Sequence, residues 1–275
     1  MGKIEKLNHR ELKSIGDFVV ALAREAGEIQ RRHLGQSKPI AYKGPVDLVT
    51  EVDHLCEDAI IGRILDRFPR HHVLAEEGEH KPQGESSFRW YVDPLDGTTN
   101  YVHGYPCFSV SIGLEVEAEM VLGVVYDPMG DELFHGIKDH GAFLNGRKIN
   151  VSKIRALEQS LLATGFPYDI RESEENNIDH FAKFALASQG VRRDGSAALD
   201  LCYVAIGRFD GFWEMKLRPW DVAAGVVMVR EAGGRVSDFR NAPFSIDSGE
   251  VLATNGLIHG QMVSLLERGR IKRLP

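Results

Sequence analysis

Trp90-Tyr91-Val92-Asp93-Pro94-Leu95-Asp96-Gly97-Thr98-Thr99 passes from a short β-branched and aromatic run into an acidic turn, and the rest of the chain is read outward from it. The first three residues have the composition of a buried strand. Two aspartates three residues apart then stand where that strand emerges, with Pro94 holding the loop and the Leu95 carbonyl available to turn toward a hard cation. Gly97-Thr98-Thr99 follows at once, and the N–H groups at the start of a helix suit the oxygens of a phosphate. Asp, Pro and Gly are also ordinary turn residues, so a surface turn is the plain alternative.

The flanking sequence favours the chemical reading. Upstream, Val73-Leu74-Ala75 runs into Glu76-Glu77, again a strand whose end presents acid, with Glu76 the first candidate ligand and Glu77 second. Downstream, β-branched and aromatic runs at 108–114, 120–126, 133–136 and 142–144 predict further strands of one sheet, and Asn145-Gly146 a tight turn. On the N-terminal side, Leu12, Ile15, Val19, Leu22, Ala26 and Ile29 fall at helical spacing. Lys43-Gly44-Pro45 interrupts the chain, and Asp53 is placed to cap a helix carrying Ile60, Ile61, Ile64 and Phe68.

Beyond residue 150 the pattern alternates: strands at 160–164, 211–213, 235–237 and 251–253, helices at 174–187, 197–206, 221–232 and 256–267. Interleaved helices and strands predict a layered α/β architecture. We expect one catalytic unit over 1–275 with a possible sub-domain division near 150. Pro219-Trp220-Asp221 lies beyond that division, so the two acidic motifs must converge to act together. Asp221 at a helix start is favoured there by the dipole in any case; beside Glu76, Asp93 and Asp96 it becomes a fourth carboxylate in want of a cation.

Four carboxylates within a few ångströms repel one another, and two magnesium ions relieve that repulsion. Such a pair clamps the attacking and leaving oxygens of an in-line phosphoryl transfer. The 11 histidines form no His-Glu-x-x-His and the three cysteines no Cys-x-x-Cys, which argues against zinc; Cys56, Cys107 and Cys202 read as buried thiols. No Gly-x-x-x-x-Gly-Lys-Ser/Thr loop and no Gly-x-Ser-x-Gly elbow is present. At 43% hydrophobic and 27% charged residues the chain is an ordinary globular protein, without a signal or membrane-spanning stretch, expected in the cytoplasm. A net charge of -7 argues against direct nucleic-acid binding, although the basic end 268–273 offers a local contact.

Taken in order, Lys43-Gly44-Pro45-Val46-Asp47-Leu48-Val49-Thr50-Glu51-Val52-Asp53, Glu76-Glu77, 90–103, Arg192-Arg193-Asp194-Gly195-Ser196-Ala197-Ala198-Leu199-Asp200, Trp213-Glu214 and 219–234 resemble the inositol monophosphatase family, within the lithium-sensitive, magnesium-dependent phosphatases. The resemblance implies an alternating α-β-α-β-α sandwich, usually homodimeric. It also implies Glu76, Asp93 and the Leu95 carbonyl on one magnesium, and Asp93, Asp96 and Asp221 on a second, with a third, weaker ion. By the same resemblance Thr98 and Asp53 activate the nucleophilic water and the Gly97-Thr98 backbone holds the phosphate. Substrate hydroxyls would meet Asp96, Gly195, Ser196, Ala197, Glu214 and Asp221, with Arg192 nearby. Glu214 most suggests a polyol, because a carboxylate accepts from ring hydroxyls.

The expected reaction is magnesium-dependent release of phosphate from a small-molecule monoester, first of all myo-inositol 1-phosphate. Fructose 1,6-bisphosphate, 3'-phosphoadenosine 5'-phosphate, histidinol phosphate and NADP are alternatives with the same mechanism. A different class of reading is a partner-binding protein in a transcription complex; four converging carboxylates serve an enzyme better.

Overall fold

The computed structural model describes residues 7–36, 40–42, 48–82 and 85–267. The Lys43-Gly44-Pro45 break and the basic end 268–273 lie outside them. The N-terminal periodicity becomes α1 (His9–His33), closed by a reciprocal box in which the Glu11 N–H donates to the Asn8 side chain (3.1 Å) and the Asn8 N–H to the Glu11 carboxylate (2.8 Å). A short antiparallel pair, β1 (Ile40–Tyr42) and β2 (Leu48–Thr50), leads into α2 (Glu51–Arg67). Here the sequence reading needs correction: the cap is Thr50, and Asp53 is the third helical residue, its carboxylate accepting the Thr50 N–H at 2.8 Å.

β3 (His72–Ala75), β4 (Glu79–His80), β5 (Phe88–Asp96), α3 (Thr98–Val102), β6 (Ser109–Val116), β7 (Glu119–Asp127), β8 (Glu132–Ile137), β9 (Gly141–Leu144) and β10 (Arg147–Lys148) follow. Their strands form an eight-stranded sheet in the order β10-β9-β8-β7-β6-β5-β3-β4, antiparallel except for the parallel β3–β5 pair. β5 does not stop at Val92 as its apolar run suggests. It continues to Asp96 across a bulge, Asp93 pairing with Ser111 and Asp96 with Ser109. Pro94 has no N–H to give the ladder, and a bulge is where a sheet tolerates that while re-aiming the flanking side chains.

The second half comprises β11 (Leu161–Thr164), α4 (Ile178–Ala187), β12 (Gly190–Arg192), α5 (Ala197–Ala205), β13 (Gly211–Met215), α6 (Pro219–Glu231), β14 (Arg235–Ser237), β15 (Glu250–Thr254) and α7 (His259–Leu266). Its five strands run in the order β12-β11-β13-β15-β14. Three-residue β12 is too short to show a period, as are β1 and β4, and the sequence reading contains none of them. α4 starts four residues later than its composition suggests, after Asn177 at φ 71°.

The layers follow from which faces are apolar. α1 and α2 cover one face of the large sheet through Val19, Leu22, Cys56 and Ile60. α5 and α6 fill the space between the sheets, and α4 and α7 close the outside of the small sheet around Phe184, Trp213 and Met262. This is the α-β-α-β-α sandwich. The middle layer is tight because Ala223-Ala224-Gly225 lets α6 lie directly on β6 and β7: a Cβ at Gly123 would meet the Ala224 carbonyl oxygen at 2.4 Å, and one at Gly225 would meet Leu201 Cβ at 2.6 Å. Gly123→Ala is therefore expected to cost about 1–3 kcal/mol, since the obstacle is backbone and cannot rotate away. A thermal melt within about 1 °C of the parent would refute that account. Among the described residues no helix is long and apolar enough to cross a membrane, and all three cysteines are buried free thiols.

Candidate active site

The parallel pairing of β3 with β5 sets two acids side by side. Ala75 is registered with Val92, so the next residues, Glu76 just past the end of β3 and Asp93 within β5, stand side by side, and the Glu76 N–H donates to the Val92 carbonyl (3.2 Å). Four further segment ends meet them: the Asp96-Gly97-Thr98 turn, the start of α5, the end of β13 and the start of α6. Together they enclose a cavity of about 610 Å³ lined by Glu76, Asp93, Asp96, Thr98, Glu214 and Asp221, among others. The two acidic motifs, 125 residues apart by number from Asp96 to Asp221, do converge.

Each acid is held by its own local device. The Asp93 carboxylate accepts the Leu95 N–H across the bulge (3.1 Å). Asp96 accepts from the Ser196 hydroxyl, the Ala198 N–H (3.0 Å) and the Ser109 hydroxyl (3.4 Å), which fixes it against the first turn of α5. Asp221 is the third residue of α6 and accepts the Arg218 N–H (2.7 Å), with Pro219 at the first helical position, where its missing N–H costs nothing. Thr98 Oγ1 lies 3.2 Å from Asp53 Oδ1 and 3.1 Å from the Leu95 carbonyl oxygen. The same Asp53 carboxylate accepts from the Thr50 hydroxyl at 2.5 Å.

Gly97 is obligatory. It adopts φ +92°, and a Cβ there would stand 2.9 Å from the Cys107 carbonyl oxygen. Asn100 ties that contact down, its amide donating at 2.7 Å both to Cys107 and to the Asp194 carbonyl just before Gly195. On the opposite wall Gly165 leaves room for Glu214, whose Oε1 would be 2.1 Å from an added Cβ.

The carboxyl groups resist ionisation. Burial first, then Glu76, Asp96 and Asp221, push Asp93 far above the usual carboxylate range. Burial takes Asp221 up to about 8, with Asp96 and Glu76 adding to it, and Glu214 to about 8, with Asp221 adding to it. Asp96 rises to about 6, burial outweighing the hydrogen bonds from Ser196 and Ala198. A buried, all-oxygen donor set of this kind fits a hard divalent cation, which restores the charged forms.

The sequence pattern of the inositol monophosphatase family matches residues 11–270. The chain belongs to the inositol monophosphatase family. It is 48% identical to the inositol-1-monophosphatase of Synechocystis sp. over 84% of this chain and 81% of that one. It superposes on the inositol monophosphatase structure from Anabaena (Nostoc) sp. PCC 7120 with a TM-score of 0.85 at 44% identity, covering 93% and 96% of the two chains. It is also 42% identical to the Nus factor SuhB of Pseudomonas aeruginosa, over 87% of this chain and 90% of that one.

Within this inositol monophosphatase fold the residues singled out from sequence do not all fall in the cavity. Glu76, Asp93, Leu95, Asp96, Gly97, Thr98, Gly195, Ser196, Ala197, Glu214 and Asp221 line it. Asp53 stands behind Thr98 rather than on the wall. Arg192 is exposed, its guanidinium on the Val191 carbonyl (3.3 Å), and it is Arg193 that lines the cavity. Neighbouring side chains of an extended segment point to opposite sides, so a one-residue choice reverses the answer.

The turn after β3 brings a further acid close to Glu76. Among the described residues the three acids whose oxygens crowd within 4.8 Å are Asp53, Glu76 and Glu77, a group able to hold a metal ion that includes the acid ranked second in sequence. The Glu77 N–H donates to the buried Glu57 carboxylate (3.0 Å), which fixes the turn. Asp200, the last residue of the Arg192–Asp200 motif, stands four residues after Ser196, the spacing of one helix face, which the sequence alone makes readable.

The raised carboxyls predict how the metal-free protein responds to pH. A group that holds its proton more tightly when folded stabilises the fold at low pH, and that stabilisation is lost as pH rises through the folded value. For Asp221 and Glu214 the loss runs from about pH 4 to about 8. The melting midpoint in EDTA is expected to fall across that range, and magnesium to restore it toward and above about pH 8, where the carboxylates are charged. A flat EDTA profile would contradict the repulsion.

Proposed function

We propose that this chain is a magnesium-dependent phosphate monoesterase acting first of all on myo-inositol 1-phosphate. The observation that carries the reading is Asp93: a buried carboxyl, surrounded by Glu76, Asp96 and Asp221, opening on the same cavity as Glu214. The relative named inositol-1-monophosphatase supports the substrate. Glu76, Asp93, the Leu95 carbonyl, Asp96 and Asp221 would hold two magnesium ions, with a third near Glu76. When bound there, magnesium supplies the positive charge that acidifies a water and neutralises the developing charge on the ester.

The protein groups do the positioning. The Thr98 hydroxyl orients the attacking water, and Asp53, bonded to that hydroxyl, draws the proton away from it. Backbone N–H groups of Gly97 and Thr98 hold the non-bridging phosphate oxygens. Asp96, Asp221, Glu214 and the 195–197 segment receive the alcohol, which leaves as inositol. The same reading makes the enzyme a cytoplasmic, lithium-sensitive homodimer, to be checked by lithium titration of the rate and by light scattering.

Phosphate release from inositol 1-phosphate, fructose 1,6-bisphosphate, 3'-phosphoadenosine 5'-phosphate, histidinol phosphate and NADP, in magnesium and in EDTA, tests the proposal. Preference for inositol 1-phosphate that vanishes in EDTA is the expected result. Release from none of them would favour the role in a transcription complex that the likeness to a Nus factor supports. Glu214→Gln keeps the shape but weakens acceptance from hydroxyls, so it should lower the preference for inositol 1-phosphate over p-nitrophenyl phosphate about tenfold. Equal loss on both esters would remove Glu214 from substrate recognition.

A further inference from the structure

Asp200 lies one turn into α5, is 1% exposed, and lines the cavity. Its helix neighbours Ala198, Leu199, Leu201 and Cys202 are all buried, so packing alone would place an apolar residue there. Ser196, on the same helix face, gives its hydroxyl to Asp96. Asp200 has no such contact: its Oδ1 is buried with no hydrogen-bond partner among the described residues. A buried carboxyl oxygen left unpaired is costly and rare, and at a cavity wall it points to a partner that comes from outside the chain. Asp194, Glu214 and Asp96 act on it with like charge and Arg193 with opposite charge. Glu214 feels the same Arg193.

We propose that Asp200 is a second hydroxyl-binding carboxyl of the substrate cavity, working beside Glu214 to select phosphate esters whose alcohol carries hydroxyls toward both acids. The inference rests on the monoesterase reading of that cavity. A buried carboxyl oxygen accepts from a hydroxyl, and a protonated carboxyl can also donate to one. A hydroxyl does both, and a polyol ring offers several at fixed spacing. An ester without them leaves Asp200 unpaired, which converts the burial of this one side chain into substrate discrimination.

Steady-state kinetics in magnesium on the full chain, with Asp200→Ala and Asp200→Asn beside the parent, decide the matter on inositol 1-phosphate and p-nitrophenyl phosphate. Asp200→Ala should lower the ratio of kcat/KM for inositol 1-phosphate to that for p-nitrophenyl phosphate at least about tenfold, mainly through KM. Asp200→Asn, whose amide still donates and accepts, should recover most of the ratio. An unchanged ratio, or equal losses on both esters in either variant, would overturn the proposal and leave Asp200 a packing residue. If the parent prefers another hydroxylated ester of the panel, the inositol assignment fails while the ratio for that ester still decides Asp200. A parent inactive on every ester sinks both readings.

Discussion

Asp93→Asn is expected to lose at least about a hundredfold in kcat/KM at saturating magnesium, with a raised magnesium requirement. The side chain keeps its size and its contact with the Leu95 N–H, so the bulge in β5 should survive. What changes is charge at the position that feels Glu76, Asp96 and Asp221 together. In the proposed mechanism Asp93 is shared by both magnesium sites, so one substitution weakens both. A hundredfold loss corresponds to about 2.7 kcal/mol of transition-state stabilisation. The same variant should melt higher than the parent in EDTA above about pH 7, because the fold no longer has to keep protonated a carboxyl that is ionised when unfolded. Near-parental turnover at high magnesium would exclude Asp93 as a shared ligand.

Thr98→Ala separates chemistry from metal binding. Thr98 touches Asp53 and the Leu95 carbonyl but contributes no charge. Removing its hydroxyl takes away the group that orients the water and links it to Asp53, so kcat should drop about a hundredfold, within the range general-base groups contribute. The magnesium concentration for half-maximal rate should move less than about threefold. Asp53→Asn should mimic the rate loss, and the double variant should lose little more, since the two act as one unit. A large rise in magnesium requirement from Thr98→Ala alone would make it part of the metal site instead. Asp53 also closes the Thr50 box of α2, so the melt of each Asp53 variant must be compared with that of Thr98→Ala.

How much of this was legible follows from the range of each interaction. Periodicity located α1 and most strands, because amphipathic repetition is written along consecutive residues. It missed β12, and it stopped β5 at Val92, because a strand that crosses a proline through a bulge has no alternating signature. It makes Asp53 a cap where Thr50 is the cap, a three-residue error with consequence, since the third helical position turns the Asp53 carboxylate to Thr98 as well as to Thr50.

By itself the sequence determined the fold class and the family, and it singled out acids that line one cavity, because strand-then-acid segments and their order are local and serial facts. Only the tertiary structure decided which acids meet. Parallel registry of β3 and β5 sets Glu76 beside Asp93, and close packing of α6 on Gly123 delivers Asp221 to the same cavity. It also put Arg193 and Asp200 on the cavity wall, without Arg192, and set Glu77 close to Glu76 and Asp53. Side-chain direction and burial depend on which surfaces come into contact, and a carboxylate acquires its character only from the neighbours and lost water that folding imposes on it.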